Sequence, residues 1–300
     1  MKIIGKITKG GFVVLKNISK HLLGFTVALF VVLSLATTTS AAGTITGNNS
    51  FATAYSVGYW KYSNIDTTIL PEDEEAAYFK FTLNAGEKVY VKSSYQSQYH
   101  GMKIELFNTN QQPIDEGIAV VNPASLTPFI FAKADAASAQ TVYVKVSRGN
   151  YTGNMYFTIS ILERTKLGSG IFNFTGTATN SGNTGLNLNG VDSTVITMDL
   201  RNNATIPDKA VVKSITTSST QTPSQGNVLH KISSEQTNVW YTAIVSNATN
   251  GQYTISLQDQ LMAAQKWNFK YNAKATASSK MTNVRATINY EYDVTDQFQY

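Results

Sequence analysis

Apolar and polar positions alternate with a period of two along most of this chain. In Ala76–Leu83 (AAYFKFTL), Phe79, Phe81 and Leu83 fall on one side and Tyr78, Lys80 and Thr82 on the other. Lys88–Ser94 repeats the pattern with Val89 and Val91, and Val142, Val144 and Val146 share a face further on. Successive side chains of a strand point to opposite faces, so this period marks half-buried strands. The clearest run is the last. Ala286, Ile288, Tyr290, Tyr292 and Val294 face one way, and Arg285, Thr287, Asn289, Glu291 and Asp293 face the other. Lys103–Phe107 and residues 155–162 complete the first half. Residues 171–179, 193–201, 210–217, 228–233, 239–246, 252–257, 267–275 and 284–294 fill the second. Asn, Gly, Pro, Asp and Ser cluster between the runs, as turns require, and the six prolines all fall there. Only residues 258–265 (QDQLMAAQ) suggest a turn or two of helix. The pattern predicts an all-β protein with two jelly-roll-like β-sandwich domains in tandem, 43–162 and 171–300. A charged stretch with Gly and Ser, 163–170 (ERTKLGSG), is the expected linker between them.

The first 42 residues follow a different rule. They carry Lys2, Lys6, Lys9, Lys16 and Lys20 and no acidic residue, then an apolar run of 15 residues at 22–36, then small residues at 37–42. This is the order of a secretory signal. Cleavage after Ala41 or after Ala42 would place small residues at both recognition positions. The run is short of the roughly 20 residues that a membrane-spanning helix needs, so removal is expected rather than retention as an anchor. The long lysine-rich start resembles signals of Gram-positive secreted proteins. No later segment is apolar enough to span a bilayer.

That segment alters the meaning of the charge. The whole chain has a formal net charge of +5, which would suit nucleic acid or an anionic surface. Five of its 24 basic residues and none of its 19 acidic ones lie in the signal, so residues 43–300 are formally neutral. The electrostatic footprint of a nucleic-acid partner is therefore missing. Charged residues are only 14% of the chain and cysteine is absent. Disulfides and Cys-ligated zinc are excluded, which suits an exported bacterial protein.

Three segments of the first half share a family likeness. They are the opening at 47–58 (GNNSFATAYSVG), the acidic run and strand at 71–90 (PEDEEAAYFKFTLNAGEKVY), and the closing hairpin at 142–161 (VYVKVSRGNYTGNMYFTISI). Together they resemble the bacterial pre-peptidase C-terminal domain family over residues 44–162. The resemblance implies a jelly-roll-like sandwich, of a kind usually attached to secreted peptidases, where it aids export or binds polymers such as collagen. No peptidase sequence accompanies it here, and the second half resembles no family. Some members hold calcium through acidic residues at the opening and before the second strand. Here the second cluster is Glu72, Asp73, Glu74 and Glu75, but the opening offers only Asn48 and Asn49. Asn49, Asp73 and Glu75 are the calcium candidates this implies. They are few for an ion that takes six to eight oxygens, so no cofactor is expected and a solvated acidic loop is the simpler reading.

Catalytic material is sparse. His100 and His230 are the histidines of residues 43–300, and neither a Gly-x-Ser-x-Gly elbow nor a His-Glu-x-x-His motif is present. Asp199 with Glu291 or Asp293 could form the carboxylate pair of a glycan hydrolase, if their separation allowed it. Aromatic residues are the more informative set. Trp60 with Tyr62, Trp240 with Tyr241, and Trp267 with Tyr271 are candidate binding residues, since aromatic faces with polar tips suit wet surfaces. Large aromatics in strands more often build the core, and Trp267, Phe269 and Tyr271 share one face opposite Asn268, Lys270 and Asn272. The sequence thus predicts a secreted, non-catalytic protein that binds extracellular or cell-surface polysaccharide or protein. The alternatives are a secreted glycan hydrolase and a self-associating structural protein, as Tyr- and Thr-rich strands without net charge favour assembly.

Overall fold

The computed structural model describes residues 43–94, 97–121 and 127–298. The expected signal segment, residues 1–42, lies outside the described residues, as does Tyr300. The fold is all-β, of sandwich type, with helix limited to the short 3-10 turns Trp60–Tyr62, Leu257–Asp259 and Val294–Gln297. The helix expected at 258–265 is the second of these turns and nothing longer. Among the described residues no helix is long and apolar enough to cross a membrane.

Four sheets account for nearly all strands. The first runs, in spatial order, Tyr55–Tyr59, Ala76–Leu83, Gln140–Ser147, Lys103–Phe107 and Pro113–Glu116. The second runs Ile159–Glu163, Lys88–Ser94, Phe129–Asp135 and Ile118–Val120. Their apolar faces meet in one buried cluster that includes Phe79, Phe81, Leu83, Val89, Val91, Ile104, Leu106, Val142, Val144 and Val146. These are the positions that the period-two pattern assigns to the inside. The run expected at 155–162 is divided at Thr158. Met155–Phe157 pairs with Thr68–Leu70, whereas Ile159–Glu163 pairs with Lys88–Ser94.

The third sheet runs Thr165–Asn173, Ser279–Asp293, Val211–Thr222, Asn250–Gln252 and Val245–Ser246, with Ala178–Asn180 also on Ser279–Asp293. The fourth runs Val191–Asp192, Lys266–Ala273, Val228–Ser234 and Trp240–Thr242, with Ile196–Asp199 beside Val191–Asp192 on the same neighbour. A second buried cluster joins these two sheets, with Trp267, Phe269, Tyr271, Ile215, Ile288 and Tyr290 among its members.

The stretch expected as a linker, 163–170, is strand instead. Ile159–Glu163 ends in the second sheet, and Thr165–Asn173 begins the third one residue later. Only Arg164 separates them. Its backbone N–H donates to Lys88 O at 3.0 Å, extending the second sheet's ladder, and its carbonyl accepts from Val294 N at 2.9 Å, opening the third sheet's. The glycines here do not serve flexibility. Gly168 pairs with Tyr290, whose ring occupies the space beside it: a β-carbon at Gly168 would stand 2.2 Å from Tyr290 Cε2. Glycine in a strand interior often marks such a close approach.

The Arg164 side chain ties the same junction. Its guanidinium is buried and forms ion pairs with Asp135 at 2.6 Å and Asp293 at 2.7 Å, one carboxylate from each side. A small apolar cluster lies alongside, with Tyr90, Val120 and Phe131 buried and Phe129, Leu162, Val294 and Phe298 packed on them. Phe298 stacks edge-on to Phe131 at 5.0 Å and to Phe129 at 5.1 Å. Replacing Arg164 leaves two carboxylates without their cation and opens the junction. Arg164→Ala should therefore cost about 2 kcal/mol, below the full cost of breaking a buried pair because both carboxylates are partly solvated. Urea unfolding measures this, and an unchanged midpoint would show that the junction does not depend on the ion pairs.

Candidate functional site

The fourth sheet turns one face to the core and one outward. Phe269, Tyr271 and Ile232 point in and are fully buried. Paired residues share a face, so register builds the outer surface. Asn268 lies opposite Ser233 and Thr197, and Ser233 opposite Trp240. Lys270 lies opposite Lys231, and Asn272 opposite Leu229 and Asp192. The outer face thus gathers amides, hydroxyls and charges around a single large aromatic residue.

Lys270 organises it. Its Nζ stands 4.2 Å from the centre of the Trp240 ring and 2.7 Å from Asp192 Oδ2. A cation over an indole is attracted by the ring's negative face. Lys231 donates to Asp192 Oδ1 at 2.8 Å, and so does Asn272 Nδ2. Burial would raise the Asp192 carboxyl, but the hydrogen bonds from Lys231, Lys270 and Asn272 outweigh it and hold the group at about 2. At the end of the face Asp199 is bonded by the Arg201 guanidinium, with Nε 2.9 Å from Oδ1, and this likewise holds it at about 2. Asn268 Nδ2 donates to Ser233 Oγ at 3.2 Å.

The six aromatic candidates separate. Trp240 is half-buried on this outer face. Tyr241, the next residue, points to the other side and packs against the core. Trp267 and Tyr271 are fully buried, so they are corrected from binding residues to core. Their amphipathic strand points both rings inward, and Tyr271 OH is satisfied by Ser279 Oγ at 2.9 Å. Trp60 and Tyr62 occupy a 3-10 turn rather than one strand face. Trp60 is buried, with its indole N–H donating to Glu87 at 2.9 Å, and is likewise corrected from surface to core. Tyr62 is 85% exposed and stands 5.5 Å edge-on from Tyr59. Sequence reasoning passed over Lys270, Lys231 and Asp192. The alternation of Lys266–Ala273 does place Lys270 on the outer face, but its meeting with Asp192 depends on register between distant strands.

The calcium candidates lie on the opening loop and the acidic run. Asn49 Nδ2 donates to Glu74 Oε1 at 2.9 Å, and Asp73 and Glu75 are exposed. Behind this run stands a buried cation, Arg148. Its guanidinium donates to the carbonyls of Glu74 at 2.6 Å, Tyr151 at 3.1 Å and Gly153 at 3.0 Å, and also to that of Pro71. Among the described residues no group of three or more His, Cys, Asp or Glu is placed to hold a metal. The carboxylates considered for hydrolysis lie on different sheets. Asp199 is on the fourth sheet, while Glu291 and Asp293 are on the third, the latter bound to Arg164. His100 is in an exposed turn. His230 is fully buried, with Nδ1 2.8 Å from Thr217 Oγ1, which lies 3.2 Å from Tyr253 OH. Gly251 seals this group, since a β-carbon there would come within 2.7 Å of His230 Cβ.

This geometry defines a β-sandwich protein with one aromatic, amide-rich and ion-paired sheet face. No family model matches the chain. It is 54% identical over 284 residues to the uncharacterized protein YbdN of Bacillus subtilis (strain 168), covering 94% of this chain and all of that one. The chain belongs to the same family as YbdN. Among solved structures, a "putative secreted protein" from Eubacterium rectale aligns over 83% of this chain and 84% of its own, with 7% identity and a TM-score of 0.37. The pre-peptidase C-terminal domain of a Bacillus anthracis collagenase aligns over 36% of this chain and 94% of its own, with 16% identity and a TM-score of 0.29. At these scores neither likeness carries an argument.

Acid should remove stability from this half in two steps. Burial pushes the His230 imidazole down to about 4 from 6.5. The unfolded chain therefore binds the proton more tightly, and stability present above pH 6.5 is lost as pH falls toward 4, by about 3 kcal/mol. The Asp192 contribution is full above its ordinary value of 3.8 and is lost as pH falls to about 2. The His230 ring resonances in NMR should titrate near 4, and a midpoint near 6.5 would contradict its burial.

Proposed function

We propose that this is an exported, non-catalytic protein that binds an extracellular or cell-surface polymer, polysaccharide before protein, on the outer face of the fourth sheet. The observation that carries this reading is the half-exposed Trp240 ring, fixed by Lys270 on a face of amide and hydroxyl side chains. Sugars present apolar ring faces flanked by hydroxyls. A fixed indole offers the apolar contact, and Asn268, Thr197 and Lys231 offer hydrogen-bond donors and acceptors around it. Export rests on the lysine-rich and apolar order of residues 1–42. The likeness of residues 44–162 to a polymer-binding domain family is an analogy in the same direction.

The non-catalytic part rests on the carboxylates. Glycan hydrolysis needs one carboxyl that keeps its proton near neutral pH. Asp192 and Asp199 are both held at about 2 by cationic neighbours, so both stay ionised. They serve the face as fixed charges.

Two measurements test the reading. Protein recovered from the medium of a secreting host should begin at Ala42 or Gly43; a chain that keeps its first 42 residues on the membrane argues against export. Binding to insoluble cell-wall polysaccharide, chitin and collagen should include at least one clear partner. Trp240→Ala should weaken it by about tenfold or more, while Tyr62→Ala leaves it unchanged. Blank results across the panel would sink the proposal.

A further inference from the structure

Sheets that end in exposed edges invite pairing, and proteins usually blunt them with short strands, charges or proline. Most edges here follow that rule. Pro113–Glu116 carries proline and two carboxylates, and Tyr55–Tyr59, Ile118–Val120, Ile159–Glu163, Trp240–Thr242 and Val245–Ser246 have five residues or fewer. Thr165–Asn173 does not. It is nine residues long, has one charge and no proline, and among the described residues it pairs on one side only, with Ser279–Asp293.

Its backbone is divided by parity. The carbonyl of Arg164 bonds to Val294, just past the neighbouring strand, and the N–H of Phe174 to Val284 within it, so even-numbered residues form the bonded pairs. In an antiparallel ladder the alternate residues then turn their N–H and C=O away. These are Thr165, Leu167, Ser169, Ile171 and Asn173. Their side chains share the outer face with Glu291, Asn289 and Thr287. Leu167 and Ile171 are 62% and 66% exposed there.

We propose that this edge pairs antiparallel with the same strand of a second copy, about a two-fold axis at Ser169. The strand is complementary to itself in that register. Ser169 meets Ser169, Leu167 meets Ile171, and Thr165 meets Asn173, so every outward backbone group faces another outward group. About ten hydrogen bonds would join the copies. Both Leu167–Ile171 pairs bring exposed apolar side chains together on one face. Lys166 lies opposite Phe172, so no like charges meet. On the even side Gly168 and Gly170 carry no side chain of their own, and the rings of Tyr290 and Phe172 occupy the space beside them. The third sheets of two copies thereby become one continuous sheet. The occupant is a second copy because the match of parity, apolarity and charge is a match of this sequence with itself.

The chain has no cysteine, so a single introduced thiol reports the axis. In protein purified from cells expressing the full chain, Ser169→Cys should form a disulfide-linked dimer on mild oxidation much faster than Leu188→Cys, a control at a residue 87% exposed in a loop. Residues directly opposite in a bonded antiparallel pair have a Cα separation that a disulfide tolerates. Wild-type protein should sediment as a dimer that dissociates on dilution. The double substitution Leu167→Lys with Ile171→Lys sets like charges opposite at both pairs and should raise the dissociation constant by about tenfold or more, with the circular dichroism unchanged. A monomer at every concentration overturns the proposal. So does a dimer that the double substitution leaves intact, or cross-linking at Ser169→Cys no faster than at Leu188→Cys.

Discussion

Arg164 carries the constraint on which the arrangement depends. Each half of the described chain buries its own core between two sheets, so nothing in either core dictates how the halves meet. The junction is made by Arg164, whose N–H completes one ladder and whose C=O starts the next, and by the small apolar cluster beside it. Only the φ and ψ of this one residue separate the last bond of one ladder from the first bond of the next. The guanidinium then binds a carboxylate from each side. The charge is buried at the junction because it is paired twice, and a single pair would compensate that burial poorly. Phe298, near the chain end, packs over Tyr90, Phe129 and Phe131 and covers the same place with apolar surface.

The surface chemistry of the second half follows from strand alternation. The strand that sends Trp267, Phe269 and Tyr271 into the core must send Asn268, Lys270 and Asn272 out. Core and candidate face are two aspects of one sequence pattern. The polar groups on that face are bound to one another, so they are positioned in advance. Fixed groups lose little freedom when a ligand arrives, which favours recognition through hydrogen bonding and shape. This suits a region whose formal charges cancel.

Most of the fold was legible because period two is a local signal. The inward set of Ala76–Leu83 and the outward set of the last strand agree with burial residue by residue. The linker misled because Gly and Ser usually signal turns, whereas Gly168 is required by a ring that arrives from more than a hundred residues away in sequence. The division at Thr158 and the 3-10 turn at Trp60 depend on which neighbour each segment finds, and composition does not encode that. The candidate site was legible in part. Trp240 was visible as an aromatic, but its partners Asp192 and Lys270 meet only through register. Trp267 and Tyr271 have the same local appearance as a surface aromatic and differ only in which face the sheet closes.

Arg148 has a wider consequence. Loops rich in carbonyl and carboxylate oxygen often rely on a dissolved ion for their shape, and that shape then varies with the supply of the ion. Here the cation is covalently part of the chain and sits behind the acidic run, on carbonyls from both of its flanking loops. The shape of this loop is thus tied to a charge that the chain itself supplies from a distant strand end.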